Sequence, residues 1–166
     1  WLLGTKKARG FWSPGTSRAL FRRAVPIDYG LLKRQAAALK AALDQAASVH
    51  ILSPGGTDLT VGLAGRSAFV DDGDLSAPGA GGNLPAGEAF VSPALGTSEG
   101  TLVFDGSMAT HQGTVVLSRP IRARVEGGFV TALEGGEQAE RLRETIAAAQ
   151  SLAGRMEADG RLPPGQ

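Results

Sequence analysis

Glu88 closes the run Asn83-Leu84-Pro85-Ala86-Gly87-Glu88, in which a Pro/Gly turn leads straight into a carboxylate. Such a turn fixes the backbone and leaves little side-chain bulk around the next residue. The carboxylate can therefore project from a rigid rim and be held for metal ligation or proton transfer. The alternative is a plain solvated glutamate, the commoner fate of this residue type, and the surroundings of Glu88 must decide between the two.

The other chemistry-bearing residues are weaker candidates. Asp71, Asp72 and Asp74 crowd one segment, but they lack the D-x-D-x-D-G spacing and the closing acid of a calcium loop, so they read as a solvated turn. His50 falls at the edge of a strand and His111 in a polar loop, and neither has a partner at H-x-x-x-H spacing. Ser107 lacks a G-x-S-x-G elbow. Gly79-Ala80-Gly81-Gly82 precedes no helix and has no P-loop lysine, which argues against a phosphate cradle. With no cysteine there is no thiolate nucleophile, disulfide or Cys-based zinc site. Elimination leaves Glu88 as the best candidate. Alone it cannot make a site.

Length and composition bound the rest. The chain has 166 residues, 42% hydrophobic and 20% charged, as expected of one soluble globular domain with a real core. Its 24 glycines and few aromatics point to tight turns and a β-rich middle. No apolar run approaches the ~20 residues of a membrane helix, and no secretory leader is visible. Together with the missing cysteines, this predicts a cytoplasmic protein with no membrane partner. The first residue is Trp1, which reads as a piece of a longer protein or one trimmed at its start.

The net charge of +1 hides an asymmetry. Residues 1–27 hold Lys6, Lys7, Arg9, Arg18, Arg22 and Arg23 and no acid. These charges are dispersed and interrupted by Ser13-Pro14-Gly15, so they read as a basic connector from a preceding domain rather than a nucleic-acid arm. No nucleic-acid partner is expected.

The elements that must position Glu88 follow from periodicity. Asp28 is a plausible N-cap for a helix running to about Ala47, with Leu31/Leu32, Gln35/Ala36, Leu39, Leu43 and Ala46 recurring at three-to-four spacing. Val49–Ser53 and Asp58–Leu63 flank Pro54-Gly55-Gly56-Thr57 as a hairpin signal, and Arg66–Val70 is a third short strand. Residues 71–87 read as a loop. Further strands are expected at Glu88–Val91, Thr101–Asp105, Val115–Leu117 and Ile121–Glu126, the last turning at Gly127-Gly128 into Phe129–Leu133. A final helix spans Glu137 to Met156, and residues 159–166 form a loose tail. The order predicts an α+β fold, an antiparallel-rich mixed β-sheet or partial barrel flanked by two helices.

Several blocks occur in order: Gly55-Gly56-Thr57-Asp58-Leu59-Thr60, Gly65-Arg66-Ser67-Ala68-Phe69, Asp71-Asp72-Gly73, Gly82 through Phe90, Glu99-Gly100-Thr101 and Phe104-Asp105-Gly106-Ser107-Met108. In combination over residues 20–155 the chain resembles the thermophilic metallo-aminopeptidases of the aminopeptidase T and S type, in their "leucyl aminopeptidase" branch. That resemblance implies a two-domain cytosolic exopeptidase acting on peptides, homodimeric at full length, with two divalent metal ions of the zinc, cobalt or manganese class. It makes Glu88 a metal ligand, with Asn83, Pro85 and Gly87 shaping its turn. Residues 28–158 become the N-terminal part of the catalytic domain. The remaining ligands are expected in a missing C-terminal half, so this segment alone binds no metal and is catalytically incomplete.

Related motifs occur in iron-dependent ring-cleaving dioxygenases acting on dihydroxypyridines, and Glu88 alone cannot choose between hydrolysis and iron chemistry. A non-catalytic β-rich binding or dimerisation module is the alternative of another class, because likeness of fold does not fix a reaction.

Overall fold

The computed structural model describes residues 4–13, 15–110 and 113–162. Their elements in chain order are β1 (Gly10–Trp12), α1 (Arg18–Ala24), α2 (Tyr29–Gln45), β2 (Ser48–Leu52), β3 (Asp58–Gly62), β4 (Phe69–Asp71), β5 (Gly81–Asn83) and β6 (Glu88–Phe90). There follow β7 (Glu99–Phe104), β8 (Ser107–Thr110), β9 (Gly113–Val116), β10 (Ile121–Glu126), β11 (Phe129–Glu134) and α3 (Glu137–Ala158). The chain divides into two compact units, residues 1–48 with 63–94, and residues 49–62 with 95–166.

The first unit is built on α2. Asp28 caps it as expected, its carboxylate accepting the Leu31 N–H at 2.9 Å. Alanines and leucines on one face let the helix pack against β4 and β6, with Ala36 buried. A second tie comes from Asp44, which accepts the Ala68 N–H at 2.7 Å and pairs with Lys40 at 2.6 Å. The strands form two ribbons, β1 with β5 in parallel and β4 with β6 antiparallel. Two aromatic pairs stack here, Phe69 on Phe90 across β4–β6 and Phe11 of β1 on Phe21 of α1.

The second unit holds a five-stranded sheet in the order β11-β10-β7-β3-β2. Strict alternation in β10 fixes its faces: Ile121, Ala123 and Val125 are buried, while Arg122, Arg124 and Glu126 are exposed. The β10–β11 hairpin turns at Gly127-Gly128, both at positive φ, as the two-residue loop requires. Met108 of the β8–β9 ribbon, Ile121 and Ala139 of α3 form the core, with Phe104, Leu117, Leu133 and Leu142 packed around them. Helix α3 carries Glu137 and Glu140 in its first turn and Arg155 in its last, matching the helix dipole.

The α+β, mostly antiparallel class therefore holds, and the described strands form no closed barrel. Among the described residues three helices occur rather than two, and the extra one, α1, lies with β1 in the segment read as a connector. Strand β5 lies inside the expected loop 71–87, and β8 was not anticipated. The reason is shared. Short strands carry little alternation, β5 is rich in glycine, and the β1–β5 pairing joins Gly10 to Gly81, far apart in the chain. Residues 159–162 fold back on α3, with Arg161 N–H on the Met156 carbonyl at 2.8 Å. The rest of the expected tail, 163–166, and His111 lie outside the described residues.

Gly100 faces Leu59 across the β3–β7 ladder at φ 128°, where a Cβ would stand 2.2 Å from the Asp58 carbonyl oxygen. Gly100→Ala is expected to cost at least about 2 kcal/mol, since left-handed strain and overpacking add. Ile121→Ala, at a fully buried core position, should cost about 2–5 kcal/mol. Urea unfolding of both variants checks these values.

Candidate functional site

The Asn83–Glu88 turn bridges the two ribbons of the first unit. Asn83 ends β5 and Glu88 begins β6, so the backbone leaves one ribbon and enters the other within four intervening residues. On the incoming side, Leu84 N–H and the Asn83 side-chain amide both donate to the Trp12 carbonyl at 3.2 Å, and the Ser13 hydroxyl donates to the Leu84 carbonyl. The Leu84–Pro85 peptide is cis. On the outgoing side, Gly87 stands at φ 130° and its N–H donates to the Asp71 carbonyl at 2.9 Å. Asp71 and Glu88 are then opposite one another in the β4–β6 ladder.

Asp71 also reaches the incoming side. Its Oδ2 accepts the Asn83 N–H at 2.5 Å and its Oδ1 lies 3.5 Å from the Gly73 N–H donor. Gly82 leaves room for this carboxylate, because a Cβ there would lie 2.7 Å from Asp71 Oδ1. Glu88, Asn83, Pro85 and Gly87 are all exposed, and Asp71 is half-buried. Glu88 thus stands at a solvent-facing rim on a backbone tied at both ends. Sequence reasoning missed Asp71 as its support; the only signal was the Asp71-Asp72-Gly73 block, read as a turn.

The other acids of this segment are engaged locally. Asp72 accepts the Asp74 N–H and Asp74 accepts the Ser76 N–H, each at 2.9 Å, in successive Asx turns. Asp74 also pairs with Lys33 of α2 at 2.6 Å. The Lys33 ammonium, followed by the Ser76 hydroxyl and amide, holds the Asp74 carboxyl well below the usual carboxylate range, and Asp74 in turn raises Lys33. These contacts leave no calcium-loop arrangement.

The glycine run is spent on β1. Gly79 N–H donates to the Ala8 carbonyl, and the Ala80 carbonyl accepts from Gly10 N–H, each at 3.1 Å. Next to this ribbon lies a cleft of about 640 Å³ whose lining includes Arg9, Phe11, Trp12 and Asn83. In the second unit, His50 pairs with Asp58 at 2.7 Å on the exposed face, and Ser107 faces Val116 in the β8–β9 ribbon. Among the described residues no three His, Cys, Asp or Glu side chains cluster as a metal site, and no helix is long and apolar enough to cross a membrane.

Comparison with known proteins identifies the setting of this turn. Residues 17–156 match the family described as NicX: 2,5-dihydroxypyridine 5,6-dioxygenase. A curated 2,5-dihydroxypyridine 5,6-dioxygenase from Pseudomonas putida is 33% identical over 112 residues, 68% of this chain and 32% of that protein. The solved structure of the dihydroxypyridine dioxygenase from the same organism superposes with a TM-score of 0.68 at 28% identity, covering 86% of this chain and 40% of the other. Wild-type AmpT from Thermus thermophilus superposes with a TM-score of 0.55 at 28% identity, covering 73% of this chain and 31% of the other. The chain thus spans about a third of the length of the curated relative.

These matches correct the metallo-aminopeptidase expectation. Identity does not separate the two solved structures, at 28% each; the family match, the curated relative and the larger superposition all favour the dioxygenase. The peptidase, protease and hydrolase readings fall with it, as does the expected pair of zinc-, cobalt- or manganese-class ions. The physical reason is that blocks of this kind specify local backbone, and likeness of scaffold does not fix a reaction.

The Lys33–Asp74 tether makes a prediction of its own. A carboxylate whose pKa is depressed on folding adds stability at neutral pH, and that contribution is lost as pH falls through the folded value. The Asp74 side-chain NMR titration is expected to have its midpoint below the ordinary value of about 3.9, and Lys33→Met should return it towards that value.

Proposed function

Because the chain belongs to the 2,5-dihydroxypyridine 5,6-dioxygenase family, we propose that it forms the Glu88-bearing part of an enzyme that opens a dihydroxylated pyridine-type ring with dioxygen. The family match over residues 17–156, which includes the whole turn and Asp71, carries this reading. It coincides with the dioxygenase alternative raised by the sequence. In it both oxygen atoms of dioxygen end in the ring-opened product.

Glu88 is the metal-directed residue in this proposal. A carboxylate is a hard oxygen donor suited to non-haem iron(II). With no cluster of three donors among the described residues, Glu88 fits such an ion only as one ligand of several. Iron(II), when bound, supplies the redox chemistry that couples dioxygen to an aromatic ring. The chain's own part is to present a carboxylate at fixed position, with Asn83, Pro85 and Gly87 shaping the turn before it. The other ligands and the substrate contacts are assigned to sequence outside the described residues.

The test uses the full gene product that contains this chain, loaded with iron(II) under anaerobic conditions. Dioxygen uptake on adding 2,5-dihydroxypyridine should run in step with loss of the ring absorbance. Glu88→Gln should lower that rate and iron content by at least about a hundredfold, since even residues supporting a ligand cost 10–100-fold. An iron-loaded wild type that consumes no dioxygen would refute the proposed reaction, and a fully active Glu88→Gln would refute the assigned ligand.

A further inference from the structure

We propose that Asp71 is the positioning residue for Glu88, acting as a clamp on both ends of the turn that carries it. The inference rests on the reading of Glu88 as a metal ligand. One residue grips the incoming strand with its side chain and the outgoing strand with its main chain. The Asp71 carboxylate takes the Asn83 N–H at 2.5 Å, and the Asp71 carbonyl takes the Gly87 N–H at 2.9 Å. Glu88, one residue further on, is Asp71's own partner in the ladder.

The grip is selective for a carboxylate. An ionised Asp offers only acceptors, and a hydrogen bond to it is roughly twice as strong as a neutral one. Asparagine at this position has nearly the same shape but accepts through one oxygen only. Its amide group would set N–H against N–H if turned towards Asn83. Gly82 completes the arrangement, since any Cβ there would meet the Asp71 carboxylate at 2.7–3.1 Å. Gly82 is not among the glycines at positive φ, so alanine is compatible with its backbone and tests the contact from the other side.

Loss of the clamp loosens the Asn83 end, leaving it only its ties to Trp12 and Ser13, while the β4–β6 ladder keeps the Gly87 end. The turn then pivots, and the Glu88 carboxylate samples more positions than a metal can use. A residue that merely held the unit together would release both ends alike.

The experiment compares wild type with Asp71→Asn, Gly82→Ala and Glu88→Gln in the full gene product, by amide hydrogen exchange without metal and by manganese(II) affinity. Asp71→Asn and Gly82→Ala are each expected to speed exchange at Asn83 by about tenfold, with Gly87 within about twofold of wild type, and to weaken manganese(II) by about tenfold. Glu88→Gln should abolish metal binding and leave both amides unchanged. Equal acceleration at Asn83 and Gly87, or unchanged manganese(II) affinity in a variant whose Asn83 exchange has risen, overturns the clamp. Retention of metal by Glu88→Gln refutes instead the ligand assignment, while the exchange pattern still decides whether Asp71 grips the turn.

Discussion

Asp71 accepts hydrogen bonds from two directions, through its carboxylate from Asn83 and through its carbonyl from Gly87, and the geometry of the candidate site follows from this. The turn between those residues belongs to no ladder. Backbone groups outside a ladder still need partners when water is excluded, and here they find them in Trp12, Ser13 and Asp71. The missing side chain of Gly82 is the steric condition for the arrangement, and the ring of Tyr29 imposes a similar one at Gly73, where a Cβ would lie 2.6 Å from it. An exposed glutamate at the end of such a turn is held by its backbone rather than by packing of its own side chain.

The second unit obeys a simpler rule. Alternation along β10 sends Ile121, Ala123 and Val125 to one face, where α3 and the β8–β9 ribbon supply Ala139 and Met108. The opposite face is charged, with Arg124 paired to Glu126 at 2.7 Å and His50 to Asp58. Exposed pairs of this kind add little stability. Burial of the apolar face stabilises the unit far more.

Motifs of this kind report a scaffold more than a reaction. The run from Gly82 to Phe90 specifies a strand end, a turn and a strand start. Those features position a carboxylate without saying what chemistry it serves. Reaction type depends on the remaining ligands and on the substrate pocket, and neither is encoded in the turn. Resemblance built on such blocks therefore reached the scaffold and misassigned the chemistry.

Legibility varied with the length of the pattern. Helix α2 with its Asp28 cap, α3, the alternating strand β10 and the Gly127-Gly128 hairpin were all apparent from the residues, because each is specified by neighbours within a few positions. The candidate Glu88 was apparent for the same reason, as the carboxylate following a Pro/Gly turn. Strands β1 and β5 were not, since each exists only through pairing with the other, far along the chain. Nor was the role of Asp71, which by sequence is one of three acids in a turn. Local propensity and periodicity thus determined the elements and nominated the acid. Which backbone ends meet, and which of the three aspartates faces them, was settled by folding, because hydrogen bonds between distant residues leave no periodic trace in the chain.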